Sequence, residues 1–253
     1  HIPHFRLAFC NRLNRPPTAE ELQIDEDLTA EDILDLDPRY FRVFAVIDAT
    51  DFRTTRTGSG PMPDGSRRLH AFEIQREYYS RYFRAHGLKY LTIILPNGMT
   101  AAVFGSRLYD NDNGVFNMSG LTDYLIEILD PIAEINLYPT VYGDAIFPLT
   151  PVTQGYIRNP DPIERIRNKR MASCRMCIEH TYGALFNLFK IMNREQSHQM
   201  YYDGENVFRL GIVCFLLLNC YVCFNGSTAS TLFDDYPAPS IGEYLPIDVD
   251  FEP

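Results

Sequence analysis

Residues 41–51 read Phe-Arg-Val-Phe-Ala-Val-Ile-Asp-Ala-Thr-Asp. From Phe41 to Ile47 the run is mostly apolar and rich in branched residues, as in a strand covered on both faces. It stops on Asp48, so an acid is expected at the strand's C-terminal edge. After it, residues 52–68 hold Gly58, Gly60, Pro61, Pro63 and Gly65 among arginines and read as loop, and Phe72–His86 is polar and aromatic. Leu88–Leu95 and Thr100–Gly105 flank Pro96-Asn97-Gly98-Met99, and Asn-Gly between β-rich runs is a hairpin signal. Residues 105–118 follow as loop. Ser119 is placed to cap a helix over Gly120–Leu129, which Pro131 stops. Asn136–Tyr142 is a further strand, weakened by Pro139 and closed by Gly143-Asp144.

A proline-rich, basic loop then leads to residues 168–192, which contain no proline. Ile178, Tyr182, Leu185, Phe189 and Met192 step by four and three, the spacing of one apolar helix stripe. Glu179 sits about 100° round from that stripe, with Arg175 one turn before it and Gly183 one turn after, on a shared face. Leu210–Phe224 (LGIVCFLLLNCYVCF) is the most apolar run. It is short for a membrane span and carries Asn219, so a buried core helix is expected. Residues 1–40, with Thr18-Ala-Glu-Glu21 and Thr29-Ala-Glu-Asp32 as capped starts, read as a peripheral helical segment. Residues 226–253 read as an acidic, disordered tail. The chain opens on His1, without a signal-peptide pattern, and is expected to be a piece of a longer protein.

The formal charge of −10 argues against a simple electrostatic nucleic-acid binder. The charge is unevenly spread, however. The tail from Asp234 has acids and no Lys or Arg, whereas residues 158–175 carry six Arg or Lys against two acids. Of the six cysteines, Cys174/Cys177 and Cys220/Cys223 have CxxC spacing. Each pair lies in a helix-like run with no glycine turn to form a knuckle, so buried free thiols are expected rather than zinc. With no tryptophan to form a sugar platform, a carboxylate-pair glycosidase is disfavoured.

The order of elements is thus a strand ending at Asp48, a hairpin, a helix, a strand ending at Asp144, and a helix bearing Glu179. A three-stranded antiparallel meander, a crossover helix and a fourth strand beside the first make a ribonuclease H-like α/β fold, a mixed sheet flanked by helices. In that arrangement Asp48 and Asp144 converge, and a later helix can bring Glu179 to them. Three carboxylates at one point repel unless a cation neutralises them, and hard oxygen ligands suit Mg²⁺ or Mn²⁺. Two such ions can activate a nucleophile and steady a leaving oxygen on phosphate.

Five blocks resemble the DDE nuclease domain of Harbinger-type transposases, related to the bacterial IS5 group, from about Phe41 to Asn225. Val46-Ile-Asp-Ala-Thr-Asp51 resembles the family's I-D-G-T-H. Tyr78-Tyr-Ser80, His86-Gly-Leu-Lys89 and Pro96-Asn-Gly98 resemble its Y-Y-S, H-G-x-K and P-D-G. Gly105-Ser-Arg-Leu-Tyr-Asp110, with Ser119-Gly120, resembles G-S-R-H-D and the S-G after it. Gly143 to Leu149 resembles G-D-x-x-Y-P-L, and Arg175 through Glu179 to Gly183 resembles R-x-x-x-E-x-x-x-G.

The resemblance implies that residues 41–225 form a DDE nuclease domain. Asp48, Asp144 and Glu179 are its catalytic, metal-binding triad, and Asp110 is a further acid at the metal site. Arg158, Arg165, Arg167, Lys169, Arg170 and Arg175 are expected to contact phosphate. It further implies two Mg²⁺ or Mn²⁺ ions, DNA at transposon ends as substrate, a Myb-like accessory protein, self-association, and a nuclear location without membrane attachment. Leu217-Leu-Asn219 resembles the family's L-H-N, with Asn219 expected to be a structural hydrogen-bonding residue. Ala49 stands where the family has glycine and Asp51 where it has histidine. These departures motivate the alternative, a decayed or domesticated copy that binds DNA or protein without cutting.

Overall fold

The computed structural model describes residues 43–54, 71–133, 138–192, 204–231, 233 and 237–246. The expectations for residues 1–40 lie outside them. The strands are β1 (Val43–Thr54), β2 (Tyr79–Ser80), β3 (Ala85–Ile94), β4 (Thr100–Arg107), β5 (Thr140–Tyr142) and β6 (Thr153–Gln154). The helices are α1 (Ala71–Tyr78), α2 (Asp112–Met118), α3 (Leu121–Leu129), α4 (Pro162–Leu188), α5 (Gly204–Asn225), α6 (Thr228–Thr231) and α7 (Ile241–Tyr244).

The strands form one mixed sheet in which β4, β3, β1, β5 and β6 lie side by side, with β2 beside the start of β3. β1, β3 and β4 are antiparallel, whereas β1, β5 and β6 run parallel. This is the expected meander with a fourth strand returning beside the first. The hairpin turns where Asn-Gly predicted it. Gly98 takes a φ of +82°, its N–H donates to the Leu95 carbonyl, and the Asn97 side chain accepts from the Met99 N–H.

Helices cover both faces of the sheet. Alternation along β1 sends Val46 and Phe52 to one side, where they pack with Tyr90 and Ile94 against Cys177, Ile178, Tyr182 and Leu185 of α4 and Phe215 of α5. Ala45 and Ile47 point to the other side, into a layer with Leu91, Ile93, Phe116, Leu121 and Leu125 of α2 and α3. Tyr90 ties the first layer together. Its hydroxyl reaches the Val207 and Phe208 carbonyls, and its ring stacks on Phe208.

Several boundaries differ from expectation, each for a local reason. β1 continues past Asp48 to Thr54 because β3 pairs with it as far as Thr54–His86. Asp48 is therefore mid-strand rather than at the strand's end. β5, however, pairs with β1 only up to Val46–Tyr142, so Asp48 stands where that side of the strand opens. Residues 112–118, read as loop, form α2, whose Asn111 cap accepts from the Gly114 N–H. α4 starts at Pro162 rather than 168. Asp161 and Glu164 form a capping box, and proline at the first position has no N–H to leave unpaired.

α5 buries Val207, Cys214, Phe215, Leu218 and Val222, but its opposite face, including Val213, Leu217 and Phe224, is exposed. Among the described residues it is the one helix long and apolar enough to cross a membrane. Cys174, Cys177 and Cys214 are buried free thiols in the core, while Cys220 and Cys223 are half-buried. The disorder expected from residue 226 does not hold for the described part of the tail. A capping box on Ser240 and Glu243 starts α7, and the Tyr244 hydroxyl accepts a hydrogen bond from the Asn219 amide on α5.

Candidate active site

The β1–β5 register assembles the site. Val46 stands beside Tyr142, the last residue of β5, and Asp144, two residues past that strand's end, lies close enough to Asp48 for its charge to raise the Asp48 carboxyl. Alternation gives Asp48 the facing of Val46, toward α4.

α4 meets this pair through two side chains one turn either side of Glu179. The Tyr182 hydroxyl donates to the Asp48 carbonyl at 3.0 Å and shares a 2.7 Å hydrogen bond with Thr92, the residue opposite Asp48 on β3. The Arg175 guanidinium lies 3.7 Å from the Asp144 carboxylate. The other oxygen of that carboxylate accepts from the Ile146 N–H at 2.9 Å. Burial lifts the Asp48 carboxyl to a pKa of about 6; the Ala49 N–H and Arg175 pull it down, and Asp144 and Asp112 push it further up. Asp48 is thus a poorly solvated carboxylate beside a second one, with a single arginine as nearby counter-charge.

Glu179 is not gathered onto the pair. It is exposed on α4 between the turns that carry Arg175 and Tyr182. Among the described residues no three Asp, Glu, His or Cys side chains stand close enough to hold one ion. Gly183, one turn on, is exposed, and a Cβ there would touch nothing.

The sequence matches the profile of the DDE superfamily endonucleases over residues 64–219. The chain belongs to that family. The matched segment contains Asp144 and Glu179, while Asp48 precedes it. Comparison with curated proteins and with solved structures finds no match.

In this DDE endonuclease chain the other expected site residues divide. Asp110 is engaged at the end of β4, accepting from Ser106 Oγ at 2.5 Å and pairing with Arg107 at 3.5 Å; Arg107 also pairs with Glu77. Of the acids just after β4, the one whose charge reaches Asp48 is Asp112. Arg167 is not a phosphate contact in this structure. It is buried and donates to the Gln154 side chain at 2.6 Å, joining α4 to β6. Arg158, Arg165 and Lys169 are exposed and Arg170 is half-exposed. Arg165, Lys169 and Glu179 share the outer side of α4, along about 21 Å of helix from Arg165 to Glu179.

Lys89, Asp112 and Tyr182 were not singled out as site residues in the sequence. Lys89 is buried, bonded to Asp112 and 3.9 Å from Asp51, its cross-strand partner. Asp51 is therefore answered by a lysine. The signal was present as Lys89 of the H-G-x-K block, but the pairing needs the β1–β3 register. Ala49 points toward the α2–α3 layer, away from the face that Asp48 presents.

Proposed function

We propose that the chain is a metal-dependent DNA endonuclease and strand-transferase of the Harbinger transposase type. What supports this reading is that Asp144, which pairs with Arg175 of the helix bearing Glu179, lies close enough to Asp48 to raise its carboxyl. The donor types, all carboxylate oxygens, suit a hard divalent cation, with Asp48 and Asp144 close together and Glu179 apart from them. Asp48 is lifted to about 6 for want of compensating charge, and the third acid lies one helical turn beyond Arg175.

Asp48, Asp144 and Glu179 would hold two Mg²⁺ or Mn²⁺ ions. When bound, such ions supply the positive charge that activates a water or a DNA 3′-hydroxyl and stabilises the leaving oxygen. The chain's own groups do the rest. Tyr182 and Thr92 fix the β1 backbone at Asp48, and Lys89 offsets part of the charge of Asp51 and Asp112. Arg158, Arg165 and Lys169 offer phosphate contacts, and Arg175 adds another once a cation replaces it at Asp144. The resemblance supports a nuclear site of action, transposon ends as substrate and a Myb-like partner for DNA recognition. The overall acidity fits such help in binding DNA.

The deciding experiment is cleavage of supercoiled and linear DNA with Mg²⁺ or Mn²⁺, comparing the chain with Glu179→Gln. Activity lost in the variant supports the reading, and activity that survives removes Glu179 from it. A second reading, a domesticated copy that binds without cutting, is favoured by the Arg175–Asp144 pair and by the outlying position of Glu179. A folded chain that binds DNA but neither binds Mn²⁺ nor cuts would establish it.

A further inference from the structure

α5 is packed into the fold on one side only. Val207, Cys214, Phe215, Leu218 and Val222 lie on its buried side, in the layer they share with α4 and the sheet. The opposite side carries Val213, Leu216, Leu217, Tyr221 and Phe224, which are 44% to 71% exposed. At about 100° per residue these five fall within about 140° of one another round the helix, so they form one stripe. Half-buried Cys220 sits within it. From Val213 to Phe224 there is no charged residue, and exposed Arg209 borders the stripe one turn before Val213.

At those exposures the five side chains leave on the order of 500 Å² of apolar surface open on each copy. Two such stripes laid together bury roughly the 1,000 Å² at which a specific interface begins. Charge points to the same occupant. Copies of a chain with a formal charge of −10 repel over most of their surface, whereas at this stripe no acid meets an acid. Antiparallel helices bring Arg209 of each copy to the C-terminal end of the other α5. The last turn there has no basic residue of its own, and the helix carbonyls carry partial negative charge. Parallel helices would instead set the two arginines side by side. A bilayer suits the stripe less well. The buried side keeps α5 in the core, and an interfacial helix draws on several Lys or Arg beside its apolar face, where this one has Arg209 on an acidic chain.

We propose that the exposed face of α5 is the contact between two copies of the chain, related by a two-fold axis, with the helices antiparallel and Leu217 of each near the crossing point. Leu217 is the residue midway between Arg209 and Asn225, the end of the helix.

Sedimentation velocity at rising concentration tests this. The unaltered chain is expected to pass from monomer to dimer. Leu217→Glu and Phe224→Ser should each weaken dimerisation at least tenfold. Circular dichroism and the thermal midpoint of the dilute variants should match the parent, because both side chains face away from the core. In a Cys220→Ser, Cys223→Ser background, Leu217→Cys should form a covalent dimer on mild oxidation and Val213→Cys far less. Equal crosslinking at the two positions would mean parallel helices and overturn the arrangement. A chain that stays monomeric throughout, or a dimer that both surface substitutions leave unaltered, would overturn the proposal. Co-sedimentation of a monomer with phosphatidylcholine vesicles, lost in Leu217→Glu, would assign the stripe to lipid, also against it.

Discussion

Asp48 combines burial with a like-charged neighbour, and this gives the metal-free chain a definite pH dependence. Its carboxyl is raised from 3.8 to about 6, so between those values the folded chain keeps a proton that the unfolded chain has released. Stability therefore falls as pH rises from about 4 to 6 and is level above. Asp48→Asn removes the penalty, and should stabilise the metal-free protein at pH 7 by on the order of 1 to 2 kcal/mol, allowing for partial solvation, and by little at pH 4. Urea denaturation at the two pH values checks this; an equal effect at both would refute it. Lys89 makes the opposite case. Lys89→Met removes a buried cation from beside two carboxylates, Asp51 almost buried and Asp112 partly so, and should cost about 3 kcal/mol. A loss below about 1 kcal/mol in the same assay would show that water already serves both acids. Both acids of the pair were legible in the sequence, because each ends an apolar run. Lys89 and the buried Arg167 were not, since their partners Asp51 and Gln154 are fixed by strand register and helix docking rather than by local pattern.

At the scale of elements, punctuation was easier to read than extent. Asn97-Gly98 marked its turn because few dipeptides accept that backbone geometry. β1 outran its apolar stretch because hydrogen bonding to β3 does not depend on side-chain polarity, and so carried the strand through Asp48, Thr50 and Asp51. The packing of α5 on β3 depends on an absence. A Cβ on Gly211 would fall 2.2 Å from the Tyr90 hydroxyl and 2.4 Å from its ring, so the helix lies against the tyrosine only with glycine there. Gly211→Ala is expected to lower stability by about 1 to 3 kcal/mol despite alanine's better helix propensity. A variant as stable as the parent would mean that α5 can shift freely across the sheet. Asp161→Ala, which removes the α4 capping box, should cost about 1 kcal/mol and leave the β1–β5 register intact. Thermal unfolding with amide exchange at Val141 and Gly143 reads both effects at once.

For the whole molecule, the acids of the site come from distant parts of the chain, so the site exists only when the sheet is complete. The sheet order was legible because the hairpin, crossover helix and returning strand appear in sequence in that order. The docking of the acidic tail was not, because it depends on one hydroxyl, that of Tyr244, meeting one amide. That amide belongs to Asn219, which also accepts from the Thr100 N–H at 2.7 Å and donates to the Thr100 carbonyl at 2.8 Å. The side chain thus offers the backbone at the start of β4 what a neighbouring strand would offer. β4 borders the sheet, and a free border strand is a template for intermolecular pairing. Asn219 occupies at Thr100 the two backbone groups that a pairing strand would otherwise take.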